Sequence, residues 1–135
     1  MSIVPADGWV KDEAFYIVGT QYSYADTDAA PETTILLDVR FKFGQTDDAF
    51  IQSAKEGDEL IYKQWNPVIS DITPVKIGGI DAKEYYIETD LGTQHRMIFI
   101  CRGSNVYHIH CAAYTENFDI VKDDFQKMLD SFTLQ

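Results

Sequence analysis

A chain of 135 residues with 45% hydrophobic composition can form one domain that buries roughly two thirds of its unfolded surface. Its formal net charge of −11 excludes the clustered Lys and Arg that nucleic acid or an anionic membrane requires. No stretch approaches the ~20 apolar residues of a membrane-spanning helix, so neither nucleic acid nor a transmembrane segment enters the functional reading.

In chain order, Ile3–Trp9 reads as a short opening strand that ends on the turn signal Asp7-Gly8, with Trp9 closing one end of the core. Ala14–Tyr24 alternates as a second strand, and Ala25–Glu32 is an acidic loop with Pro31. It holds only Asp26 and Asp28 as carboxylates, too few oxygen ligands for a calcium loop. Thr34–Phe43 is the cleanest strand: Ile35, Leu37, Val39, Phe41 and Phe43 face a core, while Asp38, Arg40 and Lys42 share the opposite side. Gly44-Gln45-Thr46 opens a helix capped by Thr46, with Asp47 and Asp48 in its first turn, where the helix dipole favours negative charge. Its apolar stripe is Phe50, Ala54, Ile61 and Trp65; Gly57 marks a point of weakness, and Asn66-Pro67 is the stop.

Val68–Ile77 is strand-like but carries Pro74, which predicts an edge position or a bent strand. Gly78-Gly79 turns into the strand Ile80–Thr89, and Asp90-Leu91-Gly92-Thr93 turns again into a central hairpin. Its strands, Gln94–Arg102 and Val106–Tyr114, are joined at Gly103-Ser104-Asn105. The last helix starts at Thr115-Glu116-Asn117, capped by Asn117 or Thr115, and docks through Phe118, Val121, Phe125, Met128, Leu129 and Phe132. The predicted class is α+β: one domain over 1–135, an antiparallel sheet of about six strands flanked by helices.

A turn centred near Ser104 sets Cys101 opposite Tyr107 and Cys111 opposite Met97. The two sulfurs are then roughly 14 Å apart at ~3.4 Å per residue, beyond the reach of a disulfide. Two free, buried thiols are the expectation, with a lean toward a reducing compartment.

His108 and His110, two apart on one strand, share a face and offer half of a metal site. In the same register Ile98 and Ile100 face them, and neither can ligate, so no metal and no cofactor is expected. Ser53, Ser70, Ser104 and Ser131 sit in no nucleophile context, and no glycine-rich phosphate loop is present. Catalysis is therefore not expected. Asp38, Arg40 and Lys42, together with Arg96, His108 and His110, form the candidate binding surface if their faces coincide. The competing expectation is a solvated or helix-covered face with internal ion pairs. A second functional reading is a small-ligand- or metal-binding protein using Tyr85, Tyr107, His108 and His110.

Pro5-x-x-Gly8-Trp9, then Val75-x-Ile77-Gly78-Gly79-Ile80-x-Ala82, a long hairpin and a closing Ser131-Phe132 occur in an order that resembles the PsbP-like superfamily. That superfamily includes the extrinsic photosystem II subunit, the Ran-binding nuclear import factor and bacterial DcrB-type proteins, many of them lipoproteins. The resemblance implies an α/β/α sandwich and a bacterial binding or scaffold module that acts by protein–protein contact without catalysis. The N-terminal segment carries neither a leader nor a lipidation Cys, and the chloroplast-specific features of the plant proteins are missing, so a photosynthetic role is not implied. The expected location is cytoplasmic if Met1 is the native start, and the cell envelope if a leader has been removed.

Overall fold

The computed structural model describes residues 1–12 and 19–134. Among these, eight strands form one antiparallel sheet: β1 Trp9–Lys11, β2 Gly19–Tyr24, β3 Thr34–Phe41, β4 Val68–Ile69, β5 Thr73–Ile77, β6 Ile80–Glu88, β7 Thr93–Arg102 and β8 Asn105–Tyr114. Their spatial order is β1-β2-β3-β8-β7-β6, with β4 and β5 both pairing to the far side of β6. Two helices accompany the sheet, α1 over Asp47–Ile61 and α2 over Phe118–Asp130. The long β7–β8 hairpin is central, as its dense apolar alternation predicts.

The strand count exceeds the expected six, and the opening of the chain differs as well. Residues 3–8 lie outside any strand, and the first ladder begins only at Trp9, after Gly8 at φ +85° reverses the chain. The run Val68–Ile77 is interrupted at Ser70-Asp71-Ile72 into two strands rather than bent at Pro74. Pro74 sits on β5, an edge strand, where a missing N–H breaks no ladder. Of the predicted Ala14–Tyr24 strand, Gly19–Tyr24 is formed; Ala14–Val18 lies outside the described residues. β3 stops at Phe41, because Phe43 adopts φ +49°, and Val39, Phe41 and Phe43 are exposed rather than in the core.

Register assigns the two faces of the sheet. Ile35, Leu37, Ile98, Ile100, Ile109, Cys111 and Ala113 lie on one face and pack against Val121, Phe125, Met128 and Leu129 of α2. Each such side chain taken out of water contributes on the order of 1.5–3 kcal/mol. The other face carries Tyr85, Ile87, Met97, Phe99 and Val106, which pack on α1 through Ile51, Phe50, Ala54 and Tyr62. Trp9 joins the α2 layer, its indole N–H donating to Asp124 Oδ2 at 2.9 Å and its ring lying 5.4 Å from Phe125.

α1 starts as its sequence dictates, with Thr46 Oγ1 accepting from the Ala49 N–H at 3.2 Å. Its inward line keeps Phe50 and Ala54 of the predicted stripe but departs from it at Ile61 and Trp65. Ile51, Ala54, Asp58 and Tyr62 follow helical steps of three and four toward the sheet, which leaves Ile61 exposed. The helix runs unbroken through Gly57, and a Cβ added there meets nothing. Gly57→Ala is therefore expected to stabilise the protein by about 0.5–1 kcal/mol, read as a raised urea midpoint at unchanged slope.

α2 lacks the predicted side-chain cap: a 3-10 turn over Thr115–Asn117 leads into it, and neither residue's side chain bonds its first turn. The chain closes where Ser131-Phe132 meets the Gly78-Gly79 turn. Gly78 holds φ +56°, and any Cβ there would stand 2.4 Å from the Phe132 carbonyl oxygen, so only glycine fits. Two of the short motifs that carry the family resemblance are thus spatial neighbours.

Candidate functional site

The turn between β7 and β8 decides which polar side chains meet. Gly103-Ser104 is a two-residue loop with φ +57° at Gly103, and Asn105 already belongs to β8, paired with Arg102. Reading Asn105 as part of the turn shifts the register by one residue, and a one-residue shift exchanges the faces. In the structure Phe99 pairs with His108, Met97 with His110 and Arg96 with Cys111. Ile98 and Ile100 therefore lie on the face opposite the histidines. Cys101 and Cys111 also lie on opposite faces: both are free, Cys111 is buried and Cys101 half-buried. Burial pushes the Cys111 thiol up to about 12.

Of the six candidate binding residues, four gather beneath α1. Asp38 of β3 stands opposite His108 of β8, and Arg40 lies two residues along on the same face. Arg40 Nε is 3.3 Å from Asp38 Oδ1, its NH2 group lies 3.3 Å from His108 Nδ1, and Asp38 Oδ2 lies 3.5 Å from that same nitrogen. His108 is wholly buried; among the described residues its Nε2 has no hydrogen-bond partner, and Asp38 Oδ1 meets Arg40 as an ion pair without hydrogen-bond geometry. Burial works to raise the Asp38 carboxyl, but its contacts with the His108 ring and the Arg40 guanidinium more than offset it and hold it below its ordinary value. Burial and the Arg40 guanidinium hold His108 neutral, below the usual imidazole range.

His110 bonds to His95, a residue the shifted register left at the far end of the partner strand. His95 Nδ1 and His110 Nε2 are 2.8 Å apart, and His95 Nε2 is 3.0 Å from Thr93 Oγ1. The hydrogen bond requires one of these two nitrogens to carry a proton and the other to accept it, so one proton lies between the neutral rings. The ring of Tyr62, the residue that ends α1, covers His95 at 4.9 Å, and Tyr85 donates its O–H to Asp58 of α1. Burial lowers His95 to about 4; burial, with the neighbouring His95 and His108, lowers His110 to about 3. Burial also raises Asp58, more than its hydrogen bond from Tyr85 lowers it.

The remaining two candidates lie elsewhere. Lys42 lies beyond the end of β3 and pairs with Asp47 in the first turn of α1. Arg96 belongs to the α2 face, where its Nε donates to Glu84 Oε2 at 2.6 Å with both side chains largely buried, and its guanidinium lies 5.8 Å from the centre of the Tyr86 ring. The expected joint surface of Arg96 with the histidines therefore does not form. Tyr107 likewise lies on the α2 side, away from His108 and His110. Among the described residues no three His, Cys, Asp or Glu side chains converge as a metal cluster.

No family model and no curated protein matches this chain. Solved structures do. The solution structure of PsbP from the cyanobacterium Synechocystis sp. PCC 6803, CyanoP, superposes with a TM-score of 0.60 at 10% identity over 96% of this chain and 83% of that one. The fold is PsbP-like. The crystal structure of PA94 from Pseudomonas aeruginosa, a protein of unknown function described as a candidate regulator, aligns with a TM-score of 0.61 at 11% identity, covering 94% of this chain and 81% of that one. At these identities the likeness extends to the PsbP-like fold alone, and the polar layer beneath α1 is a property of this chain's own residues.

Proposed function

We propose that this chain is a non-catalytic binding module of the bacterial, DcrB-like kind, working by protein–protein contact in an α/β/α arrangement. One observation carries the reading. The polar groups suited to chemistry — Asp38, Glu84, His95 and His108 — are buried in the layers beside the sheet, where Glu84 pairs with Arg96 and His95 with His110. Large aliphatic side chains, Leu60, Ile61 and Val68 among them, are instead exposed. Such a distribution suits a surface that works by contact.

Affinity capture with the whole chain, followed by titration of each purified candidate partner, tests the reading. A saturable one-to-one complex is expected. A thermal-shift series with Zn²⁺, Cu²⁺ and apolar ligands should leave the melting temperature unchanged. A Zn²⁺ shift that vanishes in the His108→Ala, His110→Ala double variant would replace this reading with the metal-binding one.

A further inference from the structure

We infer that the C-terminal end of α1 is the docking surface, and that its occupant is a cationic amphipathic segment of another protein; the inference rests on the binding reading above. Leu60 and Ile61 are consecutive in the last turn of α1, with 73% and 64% of their surface exposed. The buried line of the helix runs through Ile51, Ala54, Asp58 and Tyr62, so Leu60 projects from the opposite side. Exposing two adjacent large aliphatics forgoes stabilisation that burial would supply, and the pair is free to be covered by a partner.

The ground around them is built. Leu60, Ile61, Lys63, Gln64 and Asn66 line an open depression of about 570 Å³. Its floor is a 3-10 turn over Lys63–Trp65 closed by Asn66 at φ +47°. That turn is tied to the β6–β7 connection twice: Asn66 Nδ2 donates to Asp90 Oδ2 at 2.7 Å, and the Asp90 N–H donates to the Trp65 carbonyl at 2.8 Å. The turn beside the depression is therefore held in place before anything binds, which lowers the ordering cost of association there.

The charge around the depression, rather than within it, selects the occupant: Lys63 is the one charged lining residue, while exposed Glu56 and Glu59 flank Leu60 on the helix and Asp90 is hydrogen-bonded to the lining residue Asn66. The whole chain carries −11. A second copy of this chain or an anionic membrane meets like charge on approach, whereas a segment with Lys or Arg flanking an apolar stripe is steered in and then places that stripe on Leu60 and Ile61.

The test uses the full chain and two short peptides of identical amphipathic pattern, one of Leu and Lys, the other of Leu and Glu. The Leu/Lys peptide should bind saturably and more weakly as salt rises, with amide NMR shifts confined to Glu59–Asn66 and Asp90–Leu91. The Leu60→Ser, Ile61→Ser double variant should bind it about tenfold more weakly at an unchanged melting temperature, since neither side chain supports the core. Equal binding of both peptides, shifts mapping elsewhere, or a dimer in sedimentation that the double variant abolishes would overturn the assignment. If the double variant still captures the partner found with the wild-type chain, this surface is wrong while the binding reading stands. If neither chain captures a partner, the binding reading itself fails.

Discussion

Arg96→Ala should cost about 3–5 kcal/mol of folding stability, measured as a lowered urea midpoint. Arg96 pairs with Glu84 through a 2.6 Å hydrogen bond, and the two side chains are only 13% and 10% exposed. Both lie on the α2 face, near Ile98 and Cys111 of the main core. Removing the guanidinium leaves a carboxylate in that layer without a partner, and an unpaired buried charge is what makes one-sided deletions expensive. The pair itself need not be stabilising, because each group loses its water when it is buried. The double variant Glu84→Leu, Arg96→Met should therefore unfold close to wild type, far above the single Arg96→Ala variant. A single variant within about 0.5 kcal/mol of wild type would show that Glu84 reaches solvent and that the pair is a surface feature.

How much of this was legible in the sequence follows from where the physics is local. Strict alternation over Ile35–Phe41 and through the hairpin placed the sheet. The stripe Val121, Phe125, Met128 and Leu129 placed α2 on it, and Thr46 with Asp47 and Asp48 placed the start of α1. The polar layer was not legible in the same way, since it depends on which strands are neighbours and on one register. Gly-Ser with a glycine in first place is a recognised two-residue hairpin signal. Taking Asn105 out of β8 moved Arg96 to the wrong face and hid the approach of His95 to His110. The inward position of Asp58 was hidden for another reason. An acidic residue between Gly57 and Glu59 reads as solvated until Tyr85, on a strand formed more than twenty residues later, supplies the donor that lets it face the sheet.

Stability should fall steeply as pH drops from about 6.5 toward 4. Unfolded imidazoles titrate near 6.5, while folded His95 is lowered to about 4 and His110 to about 3. Between those values the unfolded chain binds protons that the native chain refuses, so unfolding free energy rises with pH across this window. The stability these groups contribute is complete above pH 6.5 and is lost as pH falls through the window. For His95 alone the shift corresponds to about 3 kcal/mol; His110 does not simply add to it, because the two rings share one hydrogen bond. Geometry gives the same sign. With both rings protonated, His95 Nδ1 and His110 Nε2 are both donors at 2.8 Å and neither can accept.

The groups around the pair modify the slope without reversing it. His108 on β8 is also lowered and works in the same direction. Asp38 on β3 is lowered, and its contribution is lost only below its unfolded value of 3.8, outside the window. Asp58 on α1 is raised, so it favours the folded state at acid pH and offsets part of the loss near pH 4. Urea unfolding at steps from pH 7.5 to 4.5 should show the midpoint dropping across the range. The His95→Phe, His110→Leu double variant should lose most of that slope, whatever its stability at neutral pH. A wild-type midpoint that is flat from pH 6.5 to 4.5 would mean the two rings titrate freely, and that α1 does not seal the layer above them.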